Sequence, residues 1–270
     1  MNPAKIGAPN GHGTTSVAPY VRVIGKAVAA LDAFLDGSGE LTSAELARRL
    51  GMSRSTVHRL LTTMERHHLV DRTERGAYGL GIHLFRLGSA VPVRAVLGRL
   101  AEPALAALAE RFLVSTYLSV RDGERALCIA RIDRGPVKTT TYQVGETLPL
   151  HLGAGPNILM SELPAAELDR ILARPVLAMT PQTTVDPGAI RSRLALIRDT
   201  GLAYLPDDVE VGLAAMGVPV RYRSGELVGA VSVVALTPWF SGEHYAAIAT
   251  GLRETAAVVA AELGPKGVSA

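Results

Sequence analysis

Two short amphipathic segments separated by one tight break constrain this chain more than any other feature of its sequence. The first covers Ala44 to Leu50, with Leu46, Ala47 and Leu50 at helical spacing, and it breaks at Gly51. The second follows Ser53 and sets Val57, Leu60, Leu61 and Met64 on one face. Thr42 or Ser43 suits the N-cap of the first helix and Ser53 that of the second, because a hydroxyl there accepts from an otherwise unpaired backbone N–H. With only Gly51-Met52 between them, the pair predicts a helix-turn-helix. An earlier helical run carries Val23, Ala27, Ala30, Leu31 and Phe34 and stops at Asp36-Gly37-Ser38-Gly39. After the pair, strand-like Leu69–Arg72 and Ala77–Leu80 flank a charged, glycine-containing turn, which predicts a β-hairpin wing.

Charge sharpens this reading. From Leu46 to Met64 there are four arginines (Arg48, Arg49, Arg54, Arg59) and no acidic residue, although the whole chain is only +3. Local charge is the useful quantity for nucleic-acid binding. Arg54, Ser55 and Thr56 fall in the first turn of the second helix, within reach of base edges and phosphates, and His58 and Arg59 follow one turn later. Unpaired N–H groups at the start of that helix also suit a phosphate. Arg72 and Arg75 on the wing can reach the backbone or the minor groove. The candidate DNA contacts are therefore Thr42, Ser43, Ser53, Arg54, Ser55, Thr56, His58, Arg59, Arg72 and Arg75. A solvated basic face is the plainer alternative for any one arginine; the order of elements is what favours duplex DNA. Aromatic residues make up only 4% of the chain, too few for a protein that reads single strands by stacking.

The rest of the chain alternates helices and strands, an α+β pattern. Helices fit 102–112, 155–173 with an interruption at Pro164, 187–199 and 241–263. Strands fit Thr116–Val120, Arg125–Ile132, Val137–Tyr142, Leu202–Leu205, Met216–Arg221 and Leu227–Val234. The expected division is a disordered tail over 1–19, a winged helix-turn-helix over 20–81, a linker helix over 82–98 with a possible interruption near Pro92, and a sensor domain over 99–265. Cys128 is the only cysteine, so no intramolecular disulfide forms and a reducing cytoplasm is expected. No stretch of about 18 uncharged apolar residues suggests a membrane span.

Enzyme chemistry finds little support. No Ser sits in a G-x-S-x-G elbow, and no metal-ligand spacing, P-loop or dinucleotide fingerprint occurs, so no catalytic residue, metal or cofactor is expected. His67-His68 adjoin and should point apart on a helix. Cys128 lies in an apolar strand and reads as a buried structural thiol. Asp207, Asp208 and Glu210 could attract a cation, but a solvated loop is the expected reading. Gly153-Ala154-Gly155 reads as a loop.

The run Leu41–Leu61, with Leu69–Arg72 and Tyr78–Gly81, resembles the IclR family of transcriptional regulators. The resemblance extends through Leu148–His151, Gly201–Ala203, Glu210–Gly212, Val218–Val220 and Val228–Val233. It implies a winged-helix reader of double-stranded operator DNA joined by a helix to a GAF-like effector-binding domain, assembled as a homodimer or a dimer of dimers. Carried over by position, it implies that His151, Ala154, Gly155, Leu205, Ala215, Ser232 and Val234 surround a small-molecule effector. Several members have Asp, Cys and Ser where this chain has Leu205, Ala215 and Val234, which implies a larger or more apolar effector than a small oxo-acid, such as an aromatic one. Pro156-Asn157 replaces the common Gly-Lys; a proline in the first turn leaves a helix intact. The alternatives are a metabolite-binding hydrolase or isomerase carrying a helix-turn-helix, and a dimerisation module using its winged helix for protein contacts.

Overall fold

The computed structural model describes residues 21–35, 39–90, 94–137, 139 and 141–263. The tail expected over 1–19, the stop at Asp36–Ser38 and Pro92 lie outside them. Two compact units divide the chain, one within Met1–Phe85 and one within Arg86–Ala270.

In the first unit, α1 (Arg22–Asp32) ends in a 3-10 turn at Ala33–Leu35 and is followed by β1 (Glu40–Leu41), α2 (Ser43–Leu50) and α3 (Arg54–Arg66). β2 (Val70–Arg72) and β3 (Tyr78–Leu80) form the wing. The sheet is antiparallel in the order β1-β3-β2, so β1, which the sequence pattern did not reveal, lies on β3. Two residues are too short a run for period-two patterning to show.

Local chemistry fixes the helix-turn-helix. Thr42 caps α2, accepting from the Glu45 N–H, while Glu45 reaches back to the Thr42 N–H at 2.9 Å, a reciprocal capping box. These bonds from Thr42 hold the Glu45 carboxyl below its ordinary range. Gly51 closes α2 at φ 61°, and Ser53 caps α3 by accepting from the Thr56 N–H. Thr42→Ala should therefore destabilise this unit by about 1 kcal/mol while Thr42→Ser stays near the parent, read from urea denaturation. Val57, Leu61 and Met64 of α3 pack with Ala30, Phe34, Leu46, Val70 and Tyr78 in one core. Val23 was expected on that face but is 60% exposed, because the buried stripe of α1 begins only at Ala27 and Ala30. His67 and His68 are not helical: α3 ends at Arg66, and His68 turns at φ 53° into the wing.

The linker helix expected over 82–98, with its interruption near Pro92, falls in two described helices. α4 (Ile82–Ser89) ends before the undescribed 91–93, and α5 (Arg94–Phe112) runs on through Pro103. Leu97, Ala101, Leu105 and Leu108 of α5 are buried in the core of the second unit.

That unit is a six-stranded antiparallel sheet in the order β6-β5-β4-β9-β8-β7. Its strands are β4 (Ser115–Asp122), β5 (Arg125–Asp133), β6 (Thr147–Pro149), β7 (Ala203–Pro206), β8 (Leu213–Arg221) and β9 (Leu227–Leu236). Side-chain alternation gives the sheet two faces. Leu118, Met216, Val231 and Val233 pack against α5 and α9 (Gly242–Glu262). The opposite face packs against α6 (Ala154–Ser161), α7 (Ala165–Leu172) and α8 (Pro187–Thr200).

Of the strand expected at Val137–Tyr142, none of the described residues (137, 139, 141 and 142) is in a strand; β6 lies beside β5 instead. The reason is where the carbonyls go. Those of Thr139 and Thr141 accept from the guanidinium of Arg131, and Tyr142 has φ 67°, which ends any extended run. Among the described residues no helix is long and apolar enough to cross a membrane.

Candidate nucleic-acid interface and ligand cavity

On the first unit, the start of α3 is an exposed basic edge. Arg54, Ser55, His58 and Arg59 face solvent, while Val57, Leu60 and Leu61 between them are buried. Helical spacing thus separates a reading face from a packing face on one element. Neither Arg54 nor Arg59 pairs with a carboxylate among the described residues. Arg49, by contrast, donates to the Ala33 carbonyl at 3.1 Å and is tied into the unit itself.

Hydroxyls order the first turn. Ser53 Oγ bonds Ser55 Oγ at 3.0 Å and Thr56 Oγ1 at 2.9 Å, so Thr56, half-buried, is held locally. Thr42 is likewise engaged by Glu45 at 2.7 Å, and Ser43 is half-buried at the start of α2. On the wing, Arg75 is exposed and Arg72 lies over the Tyr78 ring, 5.9 Å from its centroid.

In the second unit a cavity of about 570 Å³, including its mouth, opens over the sheet face beside α6. Ala154, Gly155, Leu205, Ala215, Ser232 and Val234 all line it. Strand register explains the grouping: Leu205 pairs with Ala215, Ala215 with Val234, and Val234 with Ser115. The three apolar replacements therefore form one continuous strip across β7, β8 and β9. Two pairs further along β4 and β9, and so on the same face, Tyr117 stands beside Ser232. Gly155 lets α6 sit this close to the sheet, since a Cβ there would stand 3.2 Å from both Ser119 Oγ and Ser232 Oγ.

Gly153–Gly155 is thus not a loop: Gly153 is the N-cap of α6 and the next two residues are its first turn. Pro156 fits within that turn, and Asn157 is buried with Nδ2 donating to the Gly153 carbonyl at 2.8 Å. His151 does not reach the cavity wall; its Nε2 donates to the Leu177 carbonyl at 2.8 Å, and burial lowers its pKa. Asp208, expected in a solvated loop, is buried. Its carboxylate accepts the Gly153 N–H at 2.7 Å, and burial raises its pKa. Asp207 instead accepts the Gly212 N–H at 2.5 Å. No group of three or more potential metal ligands occurs among the described residues.

Part of the wall is polar and was missed from sequence. Tyr117, Thr139, Thr141 and Tyr142 line it, with Tyr142 donating to Ser119 Oγ at 2.9 Å and Tyr117 bonding Thr139 at 3.2 Å. The two tyrosine rings stack with centroids 6.0 Å apart. Arg131 carries this wall: it ion-pairs with Asp133 at 3.0 Å and lies over the Tyr117 ring at 5.2 Å. Only the pairing of β4 with β9, which sets Tyr117 beside Ser232, points to Tyr117; nothing local marks Tyr142. Cys128 is buried behind these rings, where burial pushes its thiol up to about 12 and keeps it protonated.

Comparison with known proteins follows the same division. Residues 90–261 match the family model for the bacterial transcriptional regulator IclR C-terminal domain, and residues 23–74 match the IclR helix-turn-helix domain. The HTH-type transcriptional regulator Rv1719 of Mycobacterium tuberculosis is 33% identical over 225 residues, which cover 83% of this chain and 86% of that one. XynR of Escherichia coli, another HTH-type transcriptional regulator, is 30% identical over 222 residues, covering 81% and 88%. An IclR homolog from Microbacterium hydrocarbonoxydans, solved in complex with 4-hydroxybenzoate, shares the fold with a TM-score of 0.82. Its identity is 23%, over 90% of this chain and all of that one (100%).

Proposed function

This chain belongs to the IclR family of bacterial transcriptional regulators, and on that premise we propose that α3 reads its operator while the cavity takes the effector. The family pairs a DNA-binding helix-turn-helix with a C-terminal effector-binding domain, and the curated relatives described above are regulators rather than enzymes. The observation that carries the assignment of the reader is the exposed edge of α3, with Arg54 and Arg59 free of carboxylate partners. Arg54, Ser55, His58 and Arg59 contact base edges or phosphates. Ser53, Thr56, Thr42 and Ser43 set the helix ends against the backbone, and Arg72 and Arg75 extend contact from the wing.

The reading assigns 20–81 to DNA, 82–98 to the connection and 99–265 to the effector, in a cytoplasmic protein. It works as a homodimer or as two such dimers, because half-sites on one face of B-DNA lie about 34–36 Å apart and require two readers. An effector that favours one arrangement of the assembly changes the spacing of its readers and hence operator affinity. The strip Leu205-Ala215-Val234 supports an effector larger or more apolar than a small oxo-acid. The 4-hydroxybenzoate held by the Microbacterium protein supports a ring-sized occupant.

The test is fluorescence anisotropy with duplexes drawn from the DNA flanking the chain's own gene. Saturable binding to one duplex, at least about 10³-fold tighter than to scrambled DNA and falling steeply with salt, is the expected result. Equal binding to all duplexes would remove the operator-reading assignment.

A further inference from the structure

We infer that the cavity is built for an uncharged ligand, one with an apolar body and hydroxyl, carbonyl or ester oxygens but no carboxylate. This rests on the cavity being the effector site.

The first ground is a reduced anion-binding capacity. The end of a helix is where a backbone ordinarily offers N–H groups to an anion. Here α6 begins at the cavity wall, yet its N–H groups are largely taken. The Gly153 N–H goes to the chain's own carboxylate, Asp208, at 2.7 Å. Pro156 has no N–H to give. The Asn157 N–H closes on the Gly153 carbonyl at 3.2 Å. Only those of Ala154 and Gly155 remain.

The second ground is the sign of the charges. Asp208, buried, and Glu210, exposed, both line the cavity, and no Lys, Arg or His does so among the described residues. Neither nearby guanidinium lines the cavity, although Arg193 keeps a buried Nε with no partner among the described residues and lies close enough to Asp208 to favour its charged form. Arg131 holds Asp133 and the carbonyls of Thr139 and Thr141, and Arg193 donates to the His151 carbonyl at 3.2 Å. A carboxylate entering at α6 would face that of Asp208, and two carboxylates sharing one site do not both ionise without a large cost.

The third ground is what the walls offer instead. Hydroxyls of Tyr117, Thr139, Tyr142 and Ser232 line the cavity together with the strip Leu205-Ala215-Val234. Ser232 Oγ has no hydrogen-bond partner among the described residues. A hydroxyl both donates and accepts, which matches neutral oxygen groups without needing a counter-charge.

The experiment is calorimetric titration of the full-length protein at pH 7.5 with matched pairs: methyl 4-hydroxybenzoate against 4-hydroxybenzoate, and benzamide against benzoate, with pyruvate as a small oxo-acid. The neutral member of at least one pair should bind about tenfold or more tightly than its carboxylate, and pyruvate should not bind. Asp208→Asn should cut that preference by about tenfold, since it removes the opposing charge. Lys138→Met, at a residue outside the described set, should leave the preference unchanged; a loss of carboxylate binding there with neutral binding kept would place a counter-charge at the site and overturn the inference. A carboxylate binding as tightly as its neutral partner overturns it, and so does failure of every neutral member to bind. Ala215→Trp fills the cavity and should abolish uptake, with Val234→Phe serving the same end should Ala215→Trp fold poorly. Uptake that survives filling places the ligand elsewhere and fails the effector-site reading itself, whatever the charge preference.

Discussion

Replacing Arg54 and Arg59 together by alanine is expected to weaken operator binding between about 30-fold and 10⁴-fold, with little change in folding. Each guanidinium that reads a guanine edge or a phosphate contributes about 1–3 kcal/mol, and the two sit a turn apart on α3. Neither is packed: both are exposed, and neither has a carboxylate partner among the described residues. Their removal therefore leaves no buried group unpaired, and stability should stay within about 0.5 kcal/mol of the parent. The change should also flatten the salt dependence, because fewer counterions are released on binding. Anisotropy at two salt concentrations, with a thermal melt as control, reads all three quantities. Affinity within threefold of the parent would assign DNA reading to another element.

Gly81→Ala should be the most damaging single change among the residues of the wing, costing about 3 kcal/mol or more. Gly81 follows β3, where its N–H donates to the Leu69 carbonyl at 2.9 Å. A Cβ added there would lie 2.2 Å from the His68 carbonyl oxygen and 2.7 Å from its carbon. The obstacle is backbone rather than a flexible side chain, and that backbone is already held in a left-handed turn at His68. Relief requires the wing to separate from the end of α3. Hydrogen exchange in the full chain should show protection lost in β2 and β3 first. Unchanged protection there would mean that the turn at His68 yields at little cost.

What could be read from sequence was what short-range chemistry decides. Thr42, Gly51 and Ser53 act on neighbours within four residues, so caps and the break between α2 and α3 were visible in a string of letters. The failures share a different cause. Val137–Tyr142 has a strand's composition, but its carbonyls are claimed by Arg131, a side chain from an adjacent strand. Asp208 has the composition of a solvated turn, but it is drawn inward by the start of a helix 55 residues earlier. Tyr117, on β4, and Tyr142, in the segment between β5 and β6, meet only through tertiary structure. Leu205, Ala215 and Val234 were picked out by family resemblance, and only pairing register shows that they adjoin one another.

The two-sided sheet has a consequence for how such a protein changes over generations. Leu205, Ala215 and Val234 alternate along their strands with Tyr204, Ala214, Met216, Val233 and Ala235, whose side chains belong to the core beneath α5 and α9. A substitution in the cavity strip alters only one face. The backbone ladder and the packing on the other side need not respond. Chemical taste and scaffold are thereby placed under separate selection, so a descendant can answer to a new metabolite while inheriting its architecture unaltered.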